Sequence, residues 1–202
     1  MHSIILPPAI ESAPASLDEW SDALEEDTTY LAESAGFIVG YLYQGASSRM
    51  QVVTDADNPP TVIRINVEVE TGYGEIVQFT CPVRRGDRWR VNRLIGNAVC
   101  TFYWIPYTGS FGAWQNREKN TIYQATSDGF VVGFAEHGTQ TSTINIIEGA
   151  DTPPDVYLLQ GRVVADLSCD IAFCLPVRKD YYWTAIRDGG DAAVSLSWIP
   201  IG

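Results

Sequence analysis

Gly129-Phe130-Val131-Val132-Gly133 repeats, with one conservative exchange, the earlier stretch Gly36-Phe37-Ile38-Val39-Gly40. Laying one over the other brings the rest of the chain into register. Thr29-Tyr30-x-Ala32-x-Ser34 falls on Ile122-Tyr123-x-Ala125-x-Ser127, and Ala56-Asp57-x-Pro59-Pro60 on Ala150-Asp151-x-Pro153-Pro154. Phe79, Pro82, Val83 and Arg84 fall on Phe173, Pro176, Val177 and Arg178, Trp89 on Trp183, and Trp104-Ile105-Pro106 on Trp198-Ile199-Pro200. The offset holds at about 93 to 94 residues, the size of a small domain and too long for a solenoid turn. The chain is one unit and its copy. Positions common to both copies are those the fold needs, and positions that differ are free to serve function.

Each unit reads as strands and turns. In the first, Phe37–Tyr43 is a strand whose apolar face carries Phe37, Val39 and Tyr41. Arg49–Thr54 is a second, and 55–60 is a turn, because Pro59 and Pro60 lack the donor a ladder needs. Ile63, Ile65, Val67 and Val69 alternate with Arg64, Asn66, Glu68 and Glu70, which predicts a half-buried strand with a solvated polar face. Val77, Phe79, Cys81 and Val83 face inward on the next strand. Trp89 and Val91 follow, and Ala98–Ile105 closes the unit with Cys100, Phe102 and Trp104 inward. The copy exchanges these for hydrophobes of similar size, as core packing tolerates: Phe130, Val132 and Phe134 replace Phe37, Val39 and Tyr41, and Ile171, Phe173, Leu175 and Val177 replace Val77, Phe79, Cys81 and Val83. The expected fold is all-β: two tandem homologous β-sandwich modules of jelly-roll type. An N-terminal arm and a short helix precede them. Ser16-x-x-Glu19 resembles a capping box, and Leu17, Trp20 and Leu24 share one helical face over 17–26. The boundaries are 1–26 for the acidic arm and helix, 27–107 for module one, 108–119 for the linker and 120–202 for module two.

Charge narrows the partners. The net charge is −12, and residues 1–33 hold eight acids with no Lys or Arg. Such a surface repels phosphate, so nucleic acid is not an expected partner. No stretch approaches the roughly 20 apolar residues of a membrane span, so no membrane insertion is expected. Met1-His2-Ser3-Ile4-Ile5-Leu6-Pro7-Pro8 has no basic n-region and no long apolar core, which points to assembly in a cytoplasm. The acidic leader suits a basic neighbour or plain solvation.

Chemistry-bearing patterns are sparse. There are two histidines, His2 and His137, and no nucleophile elbow, phosphate loop or Cys/His zinc spacing. No catalytic residue, cofactor or metal site is therefore expected, and the chain reads as a non-enzyme. Glu68 and Glu70 share a strand face, but a paired-carboxylate glycosidase would need them in a cleft. Asp55-x-Asp57-Asn58 and Asp188-Gly-Gly-Asp191 resemble fragments of calcium loops, and ordinary turns use the same residues. Arg85-Gly86-Asp87 spells an integrin-binding tripeptide, and the copy has Lys179-Asp180-Tyr181 there, so turn chemistry is the better account. None of the cysteine positions is shared between the copies, which argues against a disulfide framework; a Cys81–Cys100 bridge is the alternative left open. The outward positions differ more. Val99, Thr101 and Tyr103 stand against Ala193, Ser195 and Ser197, and Arg88 and Arg90 against Tyr182 and Thr184. The candidate ligand- or partner-binding residues are Tyr103, Tyr107, Phe111, Arg88, Arg90, Tyr181 and Tyr182, since exposed aromatics with polar neighbours suit sugar faces or protein interfaces.

The module opening Tyr123-Gln-Ala125-Thr-Ser127-Asp128-Gly129-Phe130-Val131, with Tyr30-Leu-Ala32-Glu-Ser34-Ala-Gly36-Phe37-Ile38, resembles that of tail-fibre and receptor-binding (adhesin) modules of tailed bacteriophages, where it often reads Tyr-Thr-Ala-Pro-Ser-Asp-Gly-Phe-Val. Glu33 and Thr126 stand where that family has Pro. Cys81-Pro82-Val83-Arg84-Arg85-Gly86-Asp87 and Leu175-Pro176-Val177-Arg178-Lys179-Asp180 are similar to the family's Phe-x-Pro-Val-Lys-Lys-Gly-Asp turn, and Trp104-Ile-Pro106 and Trp198-Ile-Pro200 to its closing aromatic-Ile-Pro phrase. The resemblance implies a virion component of the tail (fibre, tip or baseplate) that mediates assembly and host-surface binding. Its implied partners are other virion proteins, its own copies with a trimer favoured, and a host surface glycan. A carbohydrate-binding module protein and a head-decoration protein are the alternatives.

Overall fold

The computed structural model describes residues 14–43, 47–69, 76–165 and 170–202. His2, Glu70 and most of the Pro-rich arm lie outside them. The described chain is all-β: β1 (Tyr30–Leu31), β2 (Ala35–Tyr43), β3 (Ser48–Asp55), β4 (Ile63–Val69), β5 (Ile76–Val83), β6 (Arg88–Ile95) and β7 (Val99–Tyr107) in the first half. The second half holds β8 (Gln115–Asn116), β9 (Tyr123–Gln124), β10 (Gly129–Glu136), β11 (Ser142–Gly149), β12 (Val156–Val163), β13 (Ile171–Val177), β14 (Tyr182–Asp188) and β15 (Ala193–Pro200). They form four antiparallel sheets, ordered β5-β2-β7 and β1-β6-β3-β4 in the first half, β13-β10-β15-β8 and β12-β11-β14-β9 in the second. The two halves thus repeat one topology.

The repetition reaches single bonds. Ser48 Oγ accepts from Ala98 N–H and Ser142 Oγ from Ala192 N–H, while Glu25 N–H donates to Tyr30 Oη as Glu118 N–H does to Tyr123 Oη. A bulge interrupts β3 between Val52 and Val53 and β11 between Ile146 and Ile147. Gly86 and Asp180, at φ 87° and 67°, make the same left-handed turn.

The phrases that reveal the duplication are neighbours in space. Gly36 lies opposite Pro106, and Gly129 opposite Pro200. The Trp104 indole lies over Gly36, where an added Cβ would also come within 2.6 Å of the Ile105 carbonyl oxygen. Trp104 stacks on Trp89 at 5.6 Å between ring centres, and Trp89 on Tyr30 at 4.6 Å. Trp198, Trp183 and Tyr123 repeat this column over Gly129, at 5.7 and 5.0 Å. Each column crosses from one sheet to the other through the core.

Three expectations are corrected. No helix forms over 17–26. That segment lies extended beside β7, with the N–H groups of Asp18, Ser21 and Leu24 donating to the carbonyls of Pro106, Trp104 and Phe102. An isolated helix of about ten residues is marginal in water, whereas an edge strand offers carbonyls that need donors. Residues 112–117 run along β15 in the same way, Gly112 and Arg117 donating to Pro200 and Leu196, and Asn120 then crosses to β14, donating to Ala185.

Second, Phe37, Val39 and Tyr41 face away from the first core; Ile38 and Leu42 enter it, on the same side as the close-packed Gly36 and Gly40. Alternation alone could not choose, because both faces of this strand are apolar and the glycines hide which one is packed. Third, the polar side of β4 is not solvated. Asn66 is 0% exposed and Glu68 3%, both buried against the second half. Their cover is the outer face of β10, where Val132 and Phe134 are buried.

Gly36→Ala and Gly129→Ala should each destabilise the protein by about 1–3 kcal/mol through overpacking against the indole, read as a lower urea midpoint. An unchanged midpoint would show that the column can shift to admit a methyl group.

Candidate functional site

The junction of the halves concentrates buried polar groups. Arg64 leaves β4 with its guanidinium 4.2 Å from the centre of a Trp114 ring and donates to Ser197 Oγ at 3.1 Å. Burial lowers its pKa from the usual arginine value. Two residues on, Asn66 Nδ2 donates to Glu136 Oε1 at 2.8 Å and to Asp170 Oδ2 at 2.9 Å. Glu68 receives Arg49 Nη2 at 2.8 Å, and this bond raises the Arg49 pKa. Burial pushes the Asp170 carboxyl up, with the Glu68 charge adding to it and the His137 N–H and the Arg49 charge opposing. His137 Nδ1 lies 3.5 Å from Asp170 Oδ1 and 4.0 Å from Glu68 Oε2.

Beside this polar strip runs an aromatic one. Phe37 meets Phe111 at 5.2 Å and Phe130 at 5.5 Å, and Phe111 stacks on Tyr107 at 5.3 Å. Phe111 also bridges to Ile201 at the end of the chain. Tyr107 and Phe111 are therefore brought together, within the contact between the halves.

Elsewhere the candidate residues are dispersed. Tyr103 lies on the outer face of β5-β2-β7, 5.7 Å from Trp20. There, Trp20, Val39, Tyr41, Gln78, Thr80 and Tyr103 line a groove of about 260 Å³. Arg88 and Arg90 stand half-buried on the outer face of the other sheet, since the intervening Trp89 enters the core. Tyr182 is half-buried on β14, and Tyr181 takes the Arg178 guanidinium over its ring at 5.0 Å. Thr184, expected outside beside Tyr182, is buried. Arg64, Asn66, Glu68, Asp170 and Trp20 escaped the sequence reading. Their signal was present: β10 is apolar on both faces, so something must cover its outer side.

The remaining motifs have local explanations. Asp87 of the Arg-Gly-Asp stretch is 3% exposed and held by Arg84 through two bonds of 2.8 Å. Cys81, Cys100 and Cys174 are free thiols; burial raises the pKa of Cys100 and of Cys174 to about 12. Asp55 accepts the N–H groups of Asp57, Thr61 and Val62, each at 2.8 Å. Asp191 accepts those of Thr139 and Gln140 at 3.1 and 2.8 Å. Both carboxylates brace loops. No family model matches this chain, and no curated protein matches it.

Arg64→Ala should cost about 1–3 kcal/mol, because it removes a desolvated cation–π contact and a buried hydrogen bond. Urea unfolding followed by tryptophan emission would read both the loss and the change around Trp114; an unaltered midpoint and emission would contradict it. Asp55 supplies a pH test. Burial pushes its carboxyl up, but the Thr61, Val62 and Asp57 donors outweigh this and hold it below its usual 3.8. A depressed folded-state pKa means stability that is present above 3.8 and lost as pH falls through the folded value. Asp55→Ala should therefore lower the melting temperature at pH 7, with the gap to the parent closing as the pH drops below 3.8. A gap that persists in acid would assign the effect to packing.

Proposed function

We propose that this chain is a non-enzymatic structural and adhesion component of a bacteriophage tail, built of two tandem sandwich modules of jelly-roll type, that works by assembling with its own copies and with other virion proteins. The observation that carries the reading is an asymmetry between the two halves. In the second, the outer face of β13-β10-β15-β8 is covered by the Arg64, Asn66 and Glu68 side of β4. Among the described residues the same face of the first half has no such cover: Tyr41 is 37% exposed, and Trp20, the counterpart of the Trp114 that receives Arg64, is 58% exposed. Among the described residues β12, the strand equivalent to β4, is uncovered too: Gln160 and Arg162, in the places of Asn66 and Glu68, are exposed.

One copy's β12 side fits the next copy's β2 face as β4 fits β10. Such a contact is head-to-tail, and it closes into a ring when the rotation permits. Three copies would give a ring of six similar halves. The duplicated Tyr-x-Ala-x-Ser-x-Gly-Phe phrase and its resemblance to tail adhesins supply the setting, and the acidic residues of 14–33 offer a face to a basic neighbour.

A second reading rests on the same groove. Trp20, Tyr41 and Tyr103 beside Gln78 and Thr80 combine ring faces with an amide and a hydroxyl, the mixture that binds sugars. Light scattering at low and high salt separates the two. Assembly predicts a trimeric mass for the parent and a monomer for Trp20→Ser/Tyr103→Arg with unchanged circular dichroism. A parent that stays monomeric at about 100 μM, far above a micromolar contact, and binds an immobilised glycan through Tyr103 would sink assembly in favour of the sugar module.

A further inference from the structure

Glu68, His137 and Asp170 bring one ligating atom each to within 4.8 Å of one another. They come from both halves: Glu68 from β4, His137 just past β10 and Asp170 just before β13. Carboxylates alone would argue for nothing, but two further observations point to a missing partner. His137 Nδ1 is shut off from solvent and has no hydrogen bond, though it faces Asp170 Oδ1 at 3.5 Å and Glu68 Oε2 at 4.0 Å. Asn66, 0% exposed, donates its amide to Asp170 and to Glu136 and leaves its Oδ1 unpartnered.

Charge supports the same conclusion. Glu68, Glu136 and Asp170 face one guanidinium, that of Arg49. Three carboxylates thus share one guanidinium, inside a contact where unpaired charge is costly. A divalent cation would balance it. The spacing suits one as well: nitrogen and oxygen ligands about 2.0–2.2 Å from Zn²⁺ in a tetrahedral set lie roughly 3.3–3.6 Å apart. The His137–Asp170 separation of 3.5 Å is already there, the His137–Glu68 separation of 4.0 Å needs a closure of about half an ångström, and Glu68 and Asp170, within 4.8 Å of each other, close by up to about an ångström as the ion binds.

The outer contacts of a metal site are also in place. Arg49 fixes Glu68 through Oε2, and Asn66 fixes Asp170 through Oδ2, leaving Oδ1 turned to the imidazole. The His137 side chain is 27% exposed although its Nδ1 is buried, so the cluster lies just beneath the surface.

We infer that Glu68, His137 and Asp170 form a binding site for one first-row divalent cation of the Zn²⁺ type, which pins the two halves of the chain together. A mixed imidazole–carboxylate set favours Zn²⁺ over Ca²⁺ or Mg²⁺, which take all-oxygen shells. The ion is structural, since its ligands sit in a contact between two packed sheets.

The test uses the full chain, stripped with a chelator and titrated with ZnCl₂ by calorimetry, with MgCl₂ as the comparison. The expected result is one saturable Zn²⁺ site and a melting temperature that rises with Zn²⁺, neither of which MgCl₂ reproduces. His137→Ala and Asp170→Asn should each weaken binding by at least about tenfold, the loss that removing even an outer partner brings. His137→Gln, which keeps bulk and polarity, guards against misfolding and should lose the site while melting like the stripped parent. Co²⁺ in place of zinc should give weak visible bands without the intense near-ultraviolet absorption of thiolate ligation. Absence of a saturable site in the stripped parent would overturn the inference. So would Zn²⁺ binding that survives in all three variants, or a cobalt spectrum dominated by thiolate from the free cysteines. None of these outcomes depends on the oligomeric mass.

Discussion

Each half of this protein is organised around a tryptophan that lies flat on a glycine. Trp104 covers Gly36 and Trp198 covers Gly129 so closely that a methyl group has no room. The glycine belongs to the central strand of one sheet. The indole continues through Trp89 and Tyr30, or Trp183 and Tyr123, into the other. One stack of rings therefore sets the spacing of the sheets and the register of β2 on β7 and of β10 on β15. That is why the best-preserved phrases of the duplication are the Gly-Phe-x-Val-Gly stretch, the tyrosine before it, the Trp-Ile-Pro stretch and the lone tryptophan between the two stretches. They are separate in sequence and a single contact in space.

With both cores fixed in the same way, divergence is confined to the outer faces. The second half has an outer sheet face of Phe130, Val132 and Phe134, and the first half covers it with a strand side bearing Arg64, Asn66 and Glu68. Apolar cover would hold such a face with less regard to register. Buried charges tolerate few arrangements, because each must meet its partner or remain desolvated and unpaired. Arg64 over Trp114 and on Ser197, and Asn66 between Glu136 and Asp170, together select one placement of the halves. The counterpart of this junction on the first half lacks that cover among the described residues, with Tyr41 and Trp20 exposed.

Much of the fold was legible in the sequence, and the part that was not has a physical cause. The alternation Ile63, Ile65, Val67, Val69 gave the strand and its inward side, because a core excludes charge. It could not say whether Arg64, Asn66 and Glu68 meet water or another sheet, since polar residues suit both when partners are supplied. Phe37, Val39 and Tyr41 alternate as a core face would, but the inward residues are Ile38 and Leu42, on the side of the glycines whose missing side chains leave room for Trp104 and Phe79. A helix over 17–26 satisfied local spacing and lost to the free carbonyls of β7, a competitor that exists only after folding.

The sequence by itself determined that there are two copies of an all-β unit, where most of their strands run and which turns join them. Period-two alternation, proline and glycine act locally and leave their mark on neighbouring residues. Tertiary structure alone decided which sheet face of each copy is covered, and so which polar groups are drawn together. Glu68, His137 and Asp170 are far apart in the chain, and no local rule speaks of their meeting. Only the packing of one half on the other places three ligating groups around one point.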